Sequence, residues 1–144
     1  MSRRHDADRP RVAVVGAGSW GTTFGKILAD GGANVMMWAR RPELAHEINE
    51  AKRNSQYLPG INLPRSMMAT PHLSEALEGA EQIFLSVPSQ ALRENLKAVR
   101  PLISSGDAPV VSLMKGVERR TGLRMSQVIQ QELHCDPARL AVAS

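Results

Sequence analysis

Cysteine is nearly absent from this chain. Cys135 is its one thiol, so no internal disulfide can form, and the sequence fits a reducing compartment. Long apolar runs are absent as well, and no stretch has the length that spans a bilayer. Aromatic residues are scarce: two tryptophans, one tyrosine and two phenylalanines. With no helix-turn-helix, zinc-finger or RNA-binding pattern beside them, the modest net charge of +4 reads as solvated surface and not as a nucleic-acid footprint. The histidines His5, His46, His72 and His134 are scattered, and none stands beside a second ligand type at metal spacing. No metal is expected. Met1 to Pro10 is charged and has no apolar stretch of the signal-peptide kind. Residues 1–10 are therefore expected to be a disordered basic tail. Arg3, Arg4, Arg9 and Arg11, set against Asp6 and Asp8, account for half of the net charge.

What is present is one domain's worth of chain. The 144 residues suffice for a single core, burying roughly 70% of the unfolded surface. The organising stretch runs from Arg11 to Gly25. The β-branched run Val12, Val14, Val15 enters a glycine cluster, and the helical spacing of Phe24, Ile27 and Leu28 leaves it. The glycines Gly16, Gly18 and Gly21 are spaced G-x-G-x-x-G. The spacing alone also occurs in ordinary strand–turn–helix units. A strand before it, a helix after it, a stop at Gly31-Gly32 and a second apolar run, Val35 to Trp38, complete a βαβ unit and point to dinucleotide binding. Gly16 serves the tight turn, Gly18 a close backbone approach to a pyrophosphate, and Gly21 the packing of helix on strand. The helix start suits a phosphate.

The remainder alternates. Pro42 with Glu43 opens a helix through Ile48. Asn54 to Pro64 is a loop with Tyr57, Leu58 and Ile61 as apolar pins, long enough to be functional. Met67–Thr70 is a strand and Leu73–Leu77 a short helix. Gln82–Val87 is a buried strand stopped by Pro88. Ser89 caps a helix carrying Leu92, Leu96 and Val99, which Pro101 ends. Val110–Met114 is a strand, Leu123, Val128, Ile129 and Leu133 mark a helix, and Leu140–Ala143 is a last strand. The fold class is α/β, a Rossmann-type doubly wound parallel sheet in a single domain, residues 11–144.

Ligands of such sheets bind beyond the carboxyl ends of the strands. That edge gathers Gly16–Gly21, Ala39–Arg41, Val87–Ser89 and Lys115–Gly116. The second-strand end has no Asp or Glu for a ribose 2′-hydroxyl. Arg40 and Arg41 stand there instead, suited to a 2′-phosphate or simply solvated. Pro88 either turns the chain along the nicotinamide side or merely stops its strand. Lys115, between an apolar strand and a glycine, either holds a phosphate or carbonyl or decorates the surface.

Gly16–Thr22, Trp38–Arg41, Asn54–Gly60, Ser86–Ser89 and Lys115-Gly116, in that order, closely resemble bacterial-type NAD(P)-dependent glycerol-3-phosphate dehydrogenase. The resemblance implies a cytoplasmic oxidoreductase. It interconverts sn-glycerol 3-phosphate and dihydroxyacetone phosphate with NAD or NADP, for phospholipid synthesis. It also implies cofactor contacts at Ser19, Trp20, Arg40, Arg41 and Tyr57, and a lysine, Lys115, shared by cofactor and substrate. The family continues past a Ser-Gly-Pro stretch, whose first residue would be Ser144, into a C-terminal helical substrate domain that is absent here. That domain carries the general base, so no catalytic residue is expected in this chain. A homodimer is one candidate assembly of the full-length enzyme, and no nucleic acid or membrane partner is expected. Read from the residues alone, another Rossmann dehydrogenase or a free-standing NAD(P)H-sensing module stays open.

Overall fold

The computed structural model describes residues 8–143. Of the expected tail, residues 1–7 lie outside the described residues, as does Ser144. Pro10 already joins the sheet, its carbonyl accepting from Asn34 N–H at 2.9 Å. Six strands follow: β1 (Arg11–Val15), β2 (Asn34–Trp38), β3 (Met67–Thr70), β4 (Gln82–Leu85), β5 (Val110–Ser112) and β6 (Leu140–Val142). The helices are α1 (Ser19–Asp30), α2 (Pro42–Glu50), α3 (Leu73–Leu77), α4 (Leu92–Ser104) and α5 (Met125–Leu133), with 3₁₀ turns at Ser89–Ala91 and Pro137–Arg139. The sheet order is β3-β2-β1-β4-β5-β6, and every strand pair is parallel. The doubly wound sheet is therefore present, and its carboxyl ends fall along one edge.

The unbroken apolar run of β1 reflects helices covering both faces of the sheet. Ala13 and Val15 point to one core with Ile83, Leu85, Val110, Leu96 and Ile129. Val12 and Val14 point to the other with Val35, Met37, Ile48 and Met67. β1 lies between β2 and β4, so the turn that follows it sits at the middle of the edge.

Several boundaries differ from those expected. The buried stripe of α1 is Gly21, Gly25 and Ala29, at steps of four residues, with Thr22 beside it. These small side chains let the helix lie close on the sheet: a Cβ on Gly25 would come 3.1 Å from both Met37 Sδ and Met67 Cε. Phe24 and Leu28 pack beside that stripe, while Ile27 faces solvent. Pro101 does not end α4, which runs on to Ser104. Pro101 is on an exposed face, and beyond it Ile103 is buried and Ser104 Oγ donates to Leu133 O at 2.7 Å. That packing outweighs the lost helical bond. Ser89 is not a side-chain cap of α4; it opens the 3₁₀ turn leading into it. Strands β4 and β5 are shorter than expected, yet Leu113 N–H still donates to Leu85 O at 2.9 Å, and Leu113 and Met114 stay buried. Leu123 precedes α5, which starts at Met125 after Gln127 Oε1 accepts from Arg124 N–H at 2.9 Å.

Candidate functional site

The glycine turn leaves β1 in a conformation only glycine holds comfortably. Gly16 has φ +119°, and a Cβ there would lie 2.0 Å from the Ser86 carbonyl oxygen. A Cβ on Gly21 would lie 2.3 Å from the Gly16 carbonyl oxygen. These two glycines close the inner side of the turn, one against β4 and one against the turn itself. Gly18 is different. It is the N-cap of α1, with φ −74° and ψ −170°, and a Cβ added there meets nothing within 4 Å. The turn is thus packed behind and open in front. Gly18 offers no side-chain cap to α1, and no acidic residue stands in the first turn of the helix. Its first N–H groups and its positive end are left for an anion. Such a cradle, tight at two glycines and clear at the third, fits a diphosphate.

The loop after α2 is attached to this turn by a polar residue. Asn54 is fully buried. Its Nδ2 donates to Ala17 O at 3.0 Å and to Thr22 Oγ1 at 2.9 Å, and its Oδ1 accepts from Tyr57 N–H at 3.2 Å. Of the expected apolar pins, Leu58 is partly buried, whereas Tyr57 and Ile61 are 36% and 38% exposed. The loop is therefore held by Asn54, Leu58 and the buried Leu63, and Tyr57, whose N–H is bonded to Asn54, stays exposed.

Ser19 and Trp20 open α1 on its exposed side. Trp20 is 50% exposed, with its ring tilted on Phe24 at 5.9 Å between centroids. Arg40 and Arg41 follow β2 at the same edge, both exposed. Arg41 is the extended N-cap of α2, and its Nη2 donates to Gln56 Oε1. The glycine turn, Tyr57 and Arg41 thus meet on one loop. Lys115 stands beyond β5, two strands along the edge from β1, exposed and followed by Gly116 at φ +107°.

The segment after Lys115 is fixed by a set of charged groups. Arg93 of α4 donates through Nε and Nη2 to the two carboxylate oxygens of Glu118, both at 2.9 Å, and through Nη1 to Glu132 of α5. Arg100 also donates to Glu132, at 2.7 Å. The bonds from Arg93, with help from Thr121, hold the Glu118 carboxyl down at about 2. Bonds to Glu118 and Glu132 push Arg93 upward. Burial pushes Glu132 up, but Arg93 and Arg100 outweigh it and keep it below the ordinary carboxylate range. Arg93 bonds both carboxylates and Arg100 bonds Glu132 through Nη2, its buried Nε finding no partner among the described residues; the cluster ties the Lys115 loop to both helices.

A cleft of about 630 Å³, lined by Arg9, Arg11, Asn34, Arg65 and Ser66 among others, lies at the opposite, amino end of β1 to β3 and shares no residue with this edge. Sequence reasoning missed the roles of Asn54, Arg93, Glu118 and Glu132. Asn54 carried one faint signal, as the first residue of the loop that ends in Tyr57-Leu58-Pro59-Gly60.

Comparison with known proteins follows the same residues. The family model described as NAD-dependent glycerol-3-phosphate dehydrogenase N-terminus matches residues 11–144. The chain is 65% identical over 131 residues to a glycerol-3-phosphate dehydrogenase (NAD(P)+) of Leifsonia xyli subsp. xyli, covering 91% of this chain and 35% of that protein. It is 52% identical over 133 residues to one from Corynebacterium glutamicum, covering 92% of this chain and 40% of that protein. The crystal structure of glycerol-3-phosphate dehydrogenase from Coxiella burnetii superposes with a TM-score of 0.79 at 31% identity, covering 87% of this chain and 38% of that one. The chain spans between 35% and 40% of the length of these two curated relatives.

Proposed function

This chain belongs to the NAD-dependent glycerol-3-phosphate dehydrogenase family, matching its N-terminal part, and on that premise we propose that it is the cofactor-binding part of such an enzyme. The parent enzyme interconverts sn-glycerol 3-phosphate and dihydroxyacetone phosphate with NAD or NADP, in the cytoplasm, and serves phospholipid synthesis. The observation that carries this reading is the cradle at Gly18, clear in front while Gly16 and Gly21 are packed behind.

When bound, the cofactor supplies hydride exchange at its nicotinamide ring. The chain's own residues bind and orient. Gly16, Gly18 and Gly21 shape the turn, and the amides of Ser19 and Trp20 at the start of α1 receive the diphosphate. Arg40 and Arg41 serve the adenosine ribose and a 2′-phosphate where one is present. Tyr57 flanks the cofactor. Lys115 is a point charge for phosphate, shared between cofactor and substrate. Oxidising the alcohol also needs a group to accept the hydroxyl proton. No residue assigned here is a carboxylate or imidazole, arginine does not deprotonate, and serine needs a base of its own. Lys115 and Tyr57 are given to binding, and the base is assigned, as the resemblance to the family implies, to the helical substrate domain of the parent enzyme.

The test uses Trp20, exposed beside the turn. The 144-residue chain is titrated with NADPH and with NADH while tryptophan fluorescence is followed, and NADH oxidation is measured on the same sample with dihydroxyacetone phosphate. A saturable change without turnover is expected. No saturable change with either cofactor refutes the reading of the cradle, and robust turnover refutes the assignment of the base.

A further inference from the structure

We propose that Asn54 is a positioning residue for cofactor binding, its buried amide making the glycine turn and the 54–60 loop one unit. The proposal rests on the reading of the turn as the cofactor cradle.

A loop asparagine is ordinarily a surface residue, and burying an amide is unfavourable unless its hydrogen bonds are met. Asn54 is 0% exposed, and both polar atoms of its side chain have partners. Both hydrogens of Nδ2 are used, on Ala17 O and on Thr22 Oγ1, at 3.0 and 2.9 Å. Oδ1 takes the Tyr57 N–H, and the Asn54 backbone carbonyl takes the Leu58 N–H at 2.8 Å. The orientation of the amide is forced, because a carbonyl only accepts and a backbone N–H only donates. Its targets lie on either side of Gly18, the glycine with open space in front. Ala17 belongs to the turn and Thr22 to the first turn of α1, where it too is fully buried. The same loop receives a second attachment from Arg41 through Gln56, and a third from Glu47, whose carboxylate accepts the Ser55 N–H. Asn54 is the attachment that reaches the diphosphate side. Its side chain bonds to the turn and to Tyr57 at once, and so fixes their relative position.

No similar side chain replaces it. An aspartate would present a second oxygen to the Ala17 carbonyl with no proton between them. An alanine would leave Ala17 O and the Tyr57 N–H without their partner. The position therefore acts on the part of the cofactor that NAD and NADP share.

The experiment prepares Asn54→Ala and Asn54→Asp in the 144-residue chain, with circular dichroism as the check on folding. Amide exchange at Tyr57 and Leu58 is measured first, without cofactor, and is expected to be faster in the variants. Unchanged exchange overturns the proposal whatever the cofactor does. NADPH and NADH titrations are expected to show affinity weaker by roughly ten- to a hundredfold, equally for both. A folded variant that binds within about threefold of the parent, or that loses NADPH alone, overturns it. A parent chain that binds neither cofactor refutes the reading of the cradle, while the exchange measurement still judges the attachment. Should neither variant fold, exchange in the parent decides. Protection by NADPH that rises together at Trp20, Gly21, Tyr57 and Leu58 supports one unit, and protection confined to the glycine turn overturns it.

Discussion

Gly18→Val separates the cradle from the fold more sharply than any other single change. Gly18 adopts φ −74° and ψ −170°, an extended conformation that a β-branched residue holds without strain. Its added side chain starts where nothing lies within 4 Å, so no core atom has to move. Valine is a poorer N-cap than glycine, which costs about 1 kcal/mol. That lowers Tm by roughly 2–8 °C for a domain of this size class. Binding suffers far more, since the isopropyl group occupies the clear side of the turn. Two charge-assisted bonds to the diphosphate, at about 1.5–3 kcal/mol each, amount to roughly a hundredfold to ten-thousandfold in affinity. Gly16→Ala is the control with the opposite signature. Its φ of +119° and the 2.0 Å approach of a Cβ to Ser86 O mean that the backbone itself must shift. The conformation alone costs about 1–3 kcal/mol, so this variant should melt well below the parent. Circular dichroism melts and tryptophan-fluorescence titrations with NADPH, run on both variants, check the pair. A folded Gly18→Val that binds like the parent would refute the cradle, and a Gly16→Ala that melts like the parent would refute the account of the turn.

Arg40 and Arg41 changed together to alanine should weaken NADPH roughly ten- to a hundredfold, the worth of a charge-assisted bond to a 2′-phosphate, and leave NADH nearly unaffected. Equal losses in parallel titrations would show that the pair does not read that phosphate. Glu118→Gln should flatten the acid limb of the stability curve. The folded carboxyl is held at about 2, below its ordinary 4.5, by Arg93 and then Thr121. Its contribution is therefore complete above pH 4.5 and is lost as pH falls from there towards 2. Urea midpoints of parent and variant at pH 7 and pH 3 test this, and an equal drop in both would contradict it.

The order of elements and the position of the glycine turn are legible in the sequence. Strands covered on both faces must be apolar throughout, so β1 and β4 stand out as runs bounded by Gly16 and by Pro88. The glycine spacing shows where the chain turns close to itself, because only there is a missing Cβ needed at such intervals. Edge residues such as Arg40, Arg41 and Lys115 follow from topology alone, since parallel strands bring all their carboxyl ends to one side. Tertiary structure decided what depends on partners distant in the chain. Ile27 carries helical spacing, yet the smaller Gly21, Gly25 and Ala29 face the sheet, because the helix lies as close as its smallest stripe allows. Pro101 reads as a stop, yet α4 continues, because Ile103 and Ser104 find their partners in the core and on α5. Arg93, Glu118 and Glu132 look like separate surface charges until two helices and a loop bring them within hydrogen-bond reach. Asn54 looks like an ordinary turn residue. Its amide finds Ala17 and Thr22 only after the chain has folded back across more than thirty residues, and hydrogen bonds, unlike apolar spacing, leave no periodic trace of their partners in the sequence.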